Sequence, residues 1–317
     1  MLGFEPSEDL LDRVRKTLPS VDLNIVVASD VDSLTLALRG ADVLWGGEEH
    51  LSALLDRASS LRWVQAISTG VENFVSPELL DSGIVVTNAR GSQAPQIAEH
   101  VLALILAFAR DLPRLIRAQD RHRWIEADTV SNMFELDGKV LGVCGLGLLG
   151  GTLATKAKPL GMTVLATKKR PTSRPVNVDE IFGPDDLDEV LARSDFVVDT
   201  LPLTPLTRGA FALAQFQRMK NSAYFFNVGR GGTVVHDDLL VALQTGEIAG
   251  AGLDVTDPEP LPQDSKLWSL PNVIITSHTS FGSPCLWERR YRIFLDNLVR
   301  YHEQQPLANV VDLRAGY

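Results

Sequence analysis

Arg230, Asp254, Glu259 and His278 stand at the ends of runs rich in Val, Leu and Ala: NVGRGG, AGLDV, the proline-rich DPEPLP, and VIITSH. Arginine carries a fixed fork of donors that matches a carboxylate, and glycines on both sides of Arg230 suit close approach to a ligand. A histidine near a carboxylate is a proton donor and acceptor in the neutral range, and Glu259 is available to orient His278 and balance its charge. The expected chemistry is recognition of an acid coupled to proton transfer.

Such groups need a scaffold that brings strand ends together. From Gly138 the chain alternates strand-like and helix-like segments: KVLGVCG, MTVLAT, PDDLDEVLARS, DFVVDTLP, LAQFQRMK, AYFFNVG, DDLLVALQTG, AGLDV and NVIITSH. Repeated units of this kind predict a doubly wound parallel sheet, whose ligands sit outside the carboxyl ends of its strands. Residues 1–92 carry a second α/β pattern, with strand-like LNIVVAS, DVLWG, LRWVQAIS and GIVVTN between helical SEDLLDRVRKTL and EHLSALLDRAS. Between the two patterns lies APQIAEHVLALILAFARDLPRLIRAQ, in which Ile97, Val101, Leu104, Ile105 and Phe108 recur at helical spacing while Leu102 and Leu106 make the other side apolar. A helix apolar nearly all round is buried on both sides, and a homodimer interface is the expected cover.

VCGLGLLGG places Gly145, Gly147 and Gly150 in G-x-G-x-x-G spacing, directly after a strand-like run and before a helix-like one. The first glycine permits a tight turn, the second lets the backbone approach a pyrophosphate at the helix N-terminus, and the third lets helix and strand pack closely. A site for NAD ordinarily has an acidic residue about 20 positions on, to bond the ribose 2′-hydroxyl. Here VLATKKRP supplies Thr167, Lys168, Lys169 and Arg170, whose charges suit a 2′-phosphate, so NADP(H) is expected over NAD(H).

VLGVCGLGLLGG, LPLTPLTRG, NVGRGG, AGLDVTDPEPLP and VIITSH, in that order, resemble the D-isomer-specific 2-hydroxyacid dehydrogenases. STGVENF, TNARGSQAPQIAEHVLALIL and PLANVVD extend the resemblance over nearly the whole chain. It implies an α/β protein of two domains with parallel sheets: a flavodoxin-like substrate domain from residues 1–94 and 284–317, and an inserted Rossmann dinucleotide-binding domain, 95–283. It also implies that Arg230 is the catalytic arginine, Glu259 its carboxylate companion and His278 the acid–base histidine. The main-chain amides of Ser68, Thr69, Gly70 and Val71 would hold the substrate carboxylate. The glycine loop with Leu148 and Leu149, the basic run, Pro202 and Thr207 would serve the cofactor, and Asp254 would lie near its nicotinamide. Two positions depart from the family pattern. Leu148 follows Gly147 where arginine is frequent, and Lys168 replaces the acidic residue.

The implied reaction is reduction of a small 2-oxo acid, such as glyoxylate or hydroxypyruvate, to the D-2-hydroxy acid. Hydride comes from the nicotinamide and a proton from His278. Trp45, Phe74 or Trp287 would equally line a pocket for a longer apolar side chain, and a dinucleotide-sensing protein of co-repressor type is the alternative outside the enzymes. Formate-oxidising relatives match less well, because their histidine pairs with glutamine.

Composition agrees with this reading. The chain has 317 residues, 45% hydrophobic and 22% charged, enough for two domains. A formal charge of -10 argues against a nucleic-acid surface. No apolar run approaches the roughly 18 residues of a spanning helix, and no leader pattern opens the chain, so the cytoplasm is the expected location. Cys144 and Cys285 read as reduced structural thiols, and no metal site is expected. His100 reads as a structural histidine, His236 as a helix-start residue, and His50, His122 and His302 as surface groups.

Overall fold

The structure is a computed structural model that describes residues 6–71, 76–126, 130–171 and 175–316. The chain divides into two compact units, Met1–Ser92 with Ser283–Tyr317, and Gln93–Gly282.

The chain begins in the smaller unit with α1 (Glu8–Thr17), α2 (Val31–Leu38), β1 (Val43–Trp45), α3 (Glu48–Leu54), β2 (Trp63–Gln65), α4 (Pro77–Asp81) and β3 (Val85–Thr87). Ser7, Asp30 and Ser76 accept main-chain N–H bonds at the starts of α1, α2 and α4, satisfying donors that a helix leaves open. The three strands pair in parallel in the order β1-β2-β3. LNIVVAS is not a strand, contrary to its β-branched content. Leu23 and Ile25 pack against the cluster around Trp63 and Phe294, but Val26 and Val27 are exposed and the segment joins no ladder. Strand preference needs a partner and a buried face, and here only the contacts of alternate side chains are supplied.

The larger unit contains α5 (Ala94–Ala109), α6 (Leu112–Gln119), β4 (Val140–Cys144), α7 (Leu148–Ala157), β5 (Thr163–Thr167), β6 (Glu180–Phe182), α8 (Leu187–Arg193), β7 (Phe196–Asp199), α9 (Leu213–Phe216), β8 (Tyr224–Asn227), α10 (His236–Thr245), β9 (Gly250–Leu253) and β10 (Val273–Ile275). The expected long helix is two helices. Asp111 turns left-handed at φ 51° and Pro113 opens α6, which ends the hydrogen-bond ladder of α5. Seven strands pair in parallel in the order β10-β9-β8-β7-β4-β5-β6. Strand order reverses between β4 and β7, the place where an open α/β sheet leaves a crevice. Apolar clusters cover both faces of this sheet, one built from α5 and α7, the other from α8, α9 and α10. Buried on both faces, the strands carry the near-continuous apolar runs seen in the sequence.

The chain then returns to the smaller unit as α11 (Leu286–His302). Asn297 of α11 donates to Gln65 Oε1, which also accepts the Thr87 hydroxyl, so a buried polar chain ties α11 to β2 and β3. PLANVVD ends the fold with an antiparallel bridge from Val310 to Thr87.

Candidate active site

β9 and β10 end side by side, and the loops beyond them hold Asp254, Glu259 and His278. Asp254 is buried. Its carboxylate accepts the Thr276 hydroxyl (2.7 Å), the Thr279 amide (3.0 Å) and the Ser280 amide and hydroxyl, while its carbonyl accepts the His278 amide at 2.6 Å. His100 of α5 adds a contact from its Nε2 to the Thr276 hydroxyl at 2.9 Å. The loop bearing His278 is therefore fastened from inside. Ser277 and His278 both adopt left-handed conformations, at φ 50° and 55°, which side chains other than glycine rarely take.

Glu259 is fixed at both oxygens. Oε1 accepts the Thr256 amide at 3.0 Å, and Oε2 lies 2.8 Å from His278 Nδ1. The imidazole is 46% exposed, and it is the Nδ1 nitrogen that Glu259 engages. A solvent-facing pair of this kind adds little to stability; its value is orientation.

Arg230 enters from β8. Asn227, the last residue of that strand, accepts the Gly229 amide and donates to the Arg230 carbonyl (3.1 Å), shaping the turn. Gly231 lies so close to the Thr256–Asp257 backbone that a β-carbon there would stand 1.9 Å from Thr256 O. Thr256 is the residue whose amide holds Glu259. The turn of Arg230 and the loop of Glu259 thus share one packed contact, and Glu259 reaches His278. This chain of contacts joins the turn that carries Arg230 to the loops that carry Glu259 and His278, while the Arg230 guanidinium donates to the Gly229 carbonyl at 2.8 Å.

The glycine loop follows β4. Gly145 has φ 102°, and a β-carbon there would meet Thr200 and Leu201 within 3.2 Å. A β-carbon at Gly150 would lie 2.8 Å from Gly145 O and from Val143, so close packing of helix on strand needs glycine. Gly147 differs. Nothing lies within 4 Å of its virtual β-carbon, so this glycine keeps open the approach to the N-terminus of α7. That opening, with donors at a helix start, fits a dinucleotide pyrophosphate. Leu148 is exposed at the helix start, and Leu149 packs into the core. Thr167 is buried, its hydroxyl accepting the Gly145 amide at 3.1 Å, so it holds the turn. Lys168 is half-buried, whereas Lys169 and Arg170 are exposed at the end of β5. Pro202 O accepts the Thr207 hydroxyl at 2.6 Å, closing the loop after β7.

In the smaller unit, Ser68–Val71 follow β2. The carbonyls of Ser68, Thr69 and Gly70 accept bonds from the Ala89 amide, the Asn88 side chain and the Ser68 hydroxyl. Trp45 stacks on Phe294 with ring centroids 4.1 Å apart, and Trp287 lies against Tyr291. Phe74 lies outside the described residues. Sequence reasoning gave no role to Thr276, Ser280 or Thr256; short hydroxyl residues near strand ends carry no signal of their own. Among the described residues no group of His, Cys, Asp or Glu could hold a metal ion, and no helix is long and apolar enough to cross a membrane.

Comparison with known proteins places this geometry. Residues 102–280 match the family model described as D-isomer specific 2-hydroxyacid dehydrogenase, NAD binding domain. The chain is 34% identical over 301 residues to glyoxylate/hydroxypyruvate reductase B of Citrobacter koseri, covering 92% of this chain and 91% of that protein. Among solved structures it resembles the NADPH-dependent glyoxylate/hydroxypyruvate reductase of Sinorhizobium meliloti in complex with NADP and sulfate. That match has 28% identity and a TM-score of 0.81, covering 97% of this chain and 96% of the other. A D-isomer specific 2-hydroxyacid dehydrogenase of Xanthobacter autotrophicus, in complex with NADPH and MES, matches at 29% identity and TM-score 0.82, covering 99% and 97%. The chain belongs to the D-isomer-specific 2-hydroxyacid dehydrogenase family.

Proposed function

We propose that the protein is an NADPH-preferring reductase of small 2-oxo acids, glyoxylate and hydroxypyruvate foremost, which forms the D-2-hydroxy acid. The observation that carries this reading is the Glu259–His278 pair at 2.8 Å, braced by Asp254 and joined through Thr256 to the turn of Arg230.

A reduced nicotinamide, when bound, supplies the hydride. Arg230 is the group that would bind the acid: a guanidinium pairs with a carboxylate, and its attraction grows as negative charge develops on the carbonyl oxygen. With Nδ1 directed at Glu259, His278 delivers its proton to that oxygen from Nε2. Glu259 cannot swing away, because Thr256 holds its second oxygen, so the ring keeps one orientation while its charge changes. Exposure of the imidazole lets solvent return the proton after each turnover. The turn at Ser68–Val71 is assigned the substrate carboxylate by family resemblance.

Lys168, Lys169 and Arg170 support the NADP preference. A carboxylate at this place would repel a 2′-phosphate, and each well-formed charge-assisted bond that replaces it contributes about 1.5–3 kcal/mol, less where solvent screens it. A preference of about tenfold requires only about 1.4 kcal/mol. We expect NADPH to exceed NADH by at least about tenfold in kcat/KM across a panel of 2-oxo acids at low salt. Lys168→Asp should reduce NADPH affinity first. Equal efficiency with both cofactors would place the basic run in solvent, and failure to reduce any 2-oxo acid despite cofactor binding would leave a dinucleotide sensor.

A further inference from the structure

Asp199 ends β7 with a carboxyl that has no exposed surface. Its register partners are Cys144 on β4 and Asn227 on β8. The Cys144 thiol is pushed up by burial, so it stays neutral. Asn227 is occupied with Gly229 and Arg230, and the Arg230 guanidinium donates to the Gly229 carbonyl at 2.8 Å. Among the described residues no cation forms an ion pair with Asp199.

One hydroxyl proton must serve two oxygens nearby. Thr233 Oγ1 lies 2.5 Å from Asp199 Oδ2 and 2.6 Å from the Arg230 carbonyl oxygen. If Asp199 were ionised, the single Thr233 proton could bridge one of these short contacts and the other would be two acceptors face to face. The count closes with a neutral acid. Asp199 Oδ2–H donates to Thr233 Oγ1, the Thr233 hydroxyl donates to Arg230 O, and Asp199 Oδ1 accepts the Leu201 amide at 2.9 Å.

We propose that Asp199 works as a buried neutral carboxylic acid which, through the Thr233 hydroxyl, fixes the main chain of Arg230 for substrate binding. It is a positioning residue, and its kinetic consequence rests on the role given above to Arg230. Burial raises the Asp199 pKa from 3.8 to about 7, against the opposing bonds from Thr233 and Leu201. As pH rises past that value the carboxylate claims the Thr233 proton, and Arg230 O loses the shortest of its three donors, keeping the Asn227 side chain at 3.1 Å and the Thr233 amide at 3.2 Å. Stability follows the same ionisation. The folded protein keeps a proton that the unfolded chain releases between pH 3.8 and about 7, so Asp199 lowers stability as pH rises through that window.

The test has a spectroscopic and a kinetic arm, both on the full-length protein. Carboxyl-labelled aspartate is followed by 13C NMR from about pH 5 to about pH 9, a range in which ordinary aspartates are ionised throughout. One resonance should titrate near the upper value, and it should move in Thr233→Val, which assigns it without any change at Asp199. In the kinetic arm Thr233→Val should lower kcat/KM for glyoxylate with NADPH by roughly tenfold, the scale of a slightly misplaced binding group. The ratio of wild-type to Asp199→Asn activity should fall as pH passes about 7, because the amide donates to Thr233 at every pH and the contribution of His278 cancels in the ratio. Aspartates all ionised by about pH 6, or a ratio independent of pH in an enzyme that Arg230→Ala disables, would overturn the proposal. An Arg230→Ala enzyme of normal activity would instead refute the role of Arg230, leaving the titration to judge Asp199.

Discussion

His278 sits in a backbone conformation that costs on the order of 1–3 kcal/mol for a residue other than glycine, and its neighbour Ser277 does the same. Four partners on Asp254 offset that strain: Thr276, Thr279 and Ser280 at the carboxylate, and His278 itself at the carbonyl. The histidine is thereby presented to solvent on a loop that cannot relax. Its loss should therefore be chemical rather than structural. His278→Gln is expected to lower the rate of reduction by about 100-fold or more, the usual scale for a missing general acid, while NADPH binding survives. Stopped-flow reduction rates with a parallel binding titration check this; a near-normal rate would mean that the proton comes from elsewhere. The positions of Arg230 and His278 beyond strand ends were legible in the sequence because a charged or titratable side chain after an apolar run is conspicuous, whereas Glu259 was picked out by the family resemblance. The bracing by Asp254 was not legible, since the sequence shows an acidic residue but not the hydroxyls and amides that turn toward it.

Gly147 and Gly150 belong to one motif at the start of α7, yet the space around them differs. Alanine at Gly150 would press on Gly145 O and Val143 at 2.8 Å, whereas alanine at Gly147 would touch nothing in the protein. We expect Gly150→Ala to destabilise the fold by about 1–3 kcal/mol through overpacking. Gly147→Val should leave urea unfolding nearly unchanged and weaken NADPH binding, because its side chain fills the approach to the helix N-terminus. The reverse pattern would remove the dinucleotide from this loop. Periodicity revealed most elements of the sheet, where both faces are buried and local pattern agrees with environment. It misread 23–29, whose β-branched residues have no ladder to join, and it ran α5 into α6 across Asp111 and Pro113. β6, only three residues long, was too short to register.

At the scale of the molecule, apolar surface remains on the larger unit. Leu106 of α5, Leu112 and Ile116 of α6, Trp124 and Val130 are exposed, Trp124 at 91%. We propose that a second copy covers these residues, since several exposed large apolar side chains on consecutive segments suit an interaction site. Sedimentation should give twice the chain mass, and Ile116→Asp should shift it toward the single chain; a monomer at every concentration would refute this. The alternation of strands and helices made two α/β units legible from the sequence. The covering of α5 was not, because an apolar helix face reads alike whether it packs within the chain or against another. Hydride transfer to a 2-oxo acid is the step on which the proposed activity depends. NADPH deuterated at the transferring C4 position, incubated with hydroxypyruvate and the enzyme, should yield glycerate of D configuration with deuterium at C2. Product lacking that deuterium, or of the opposite configuration, would contradict it.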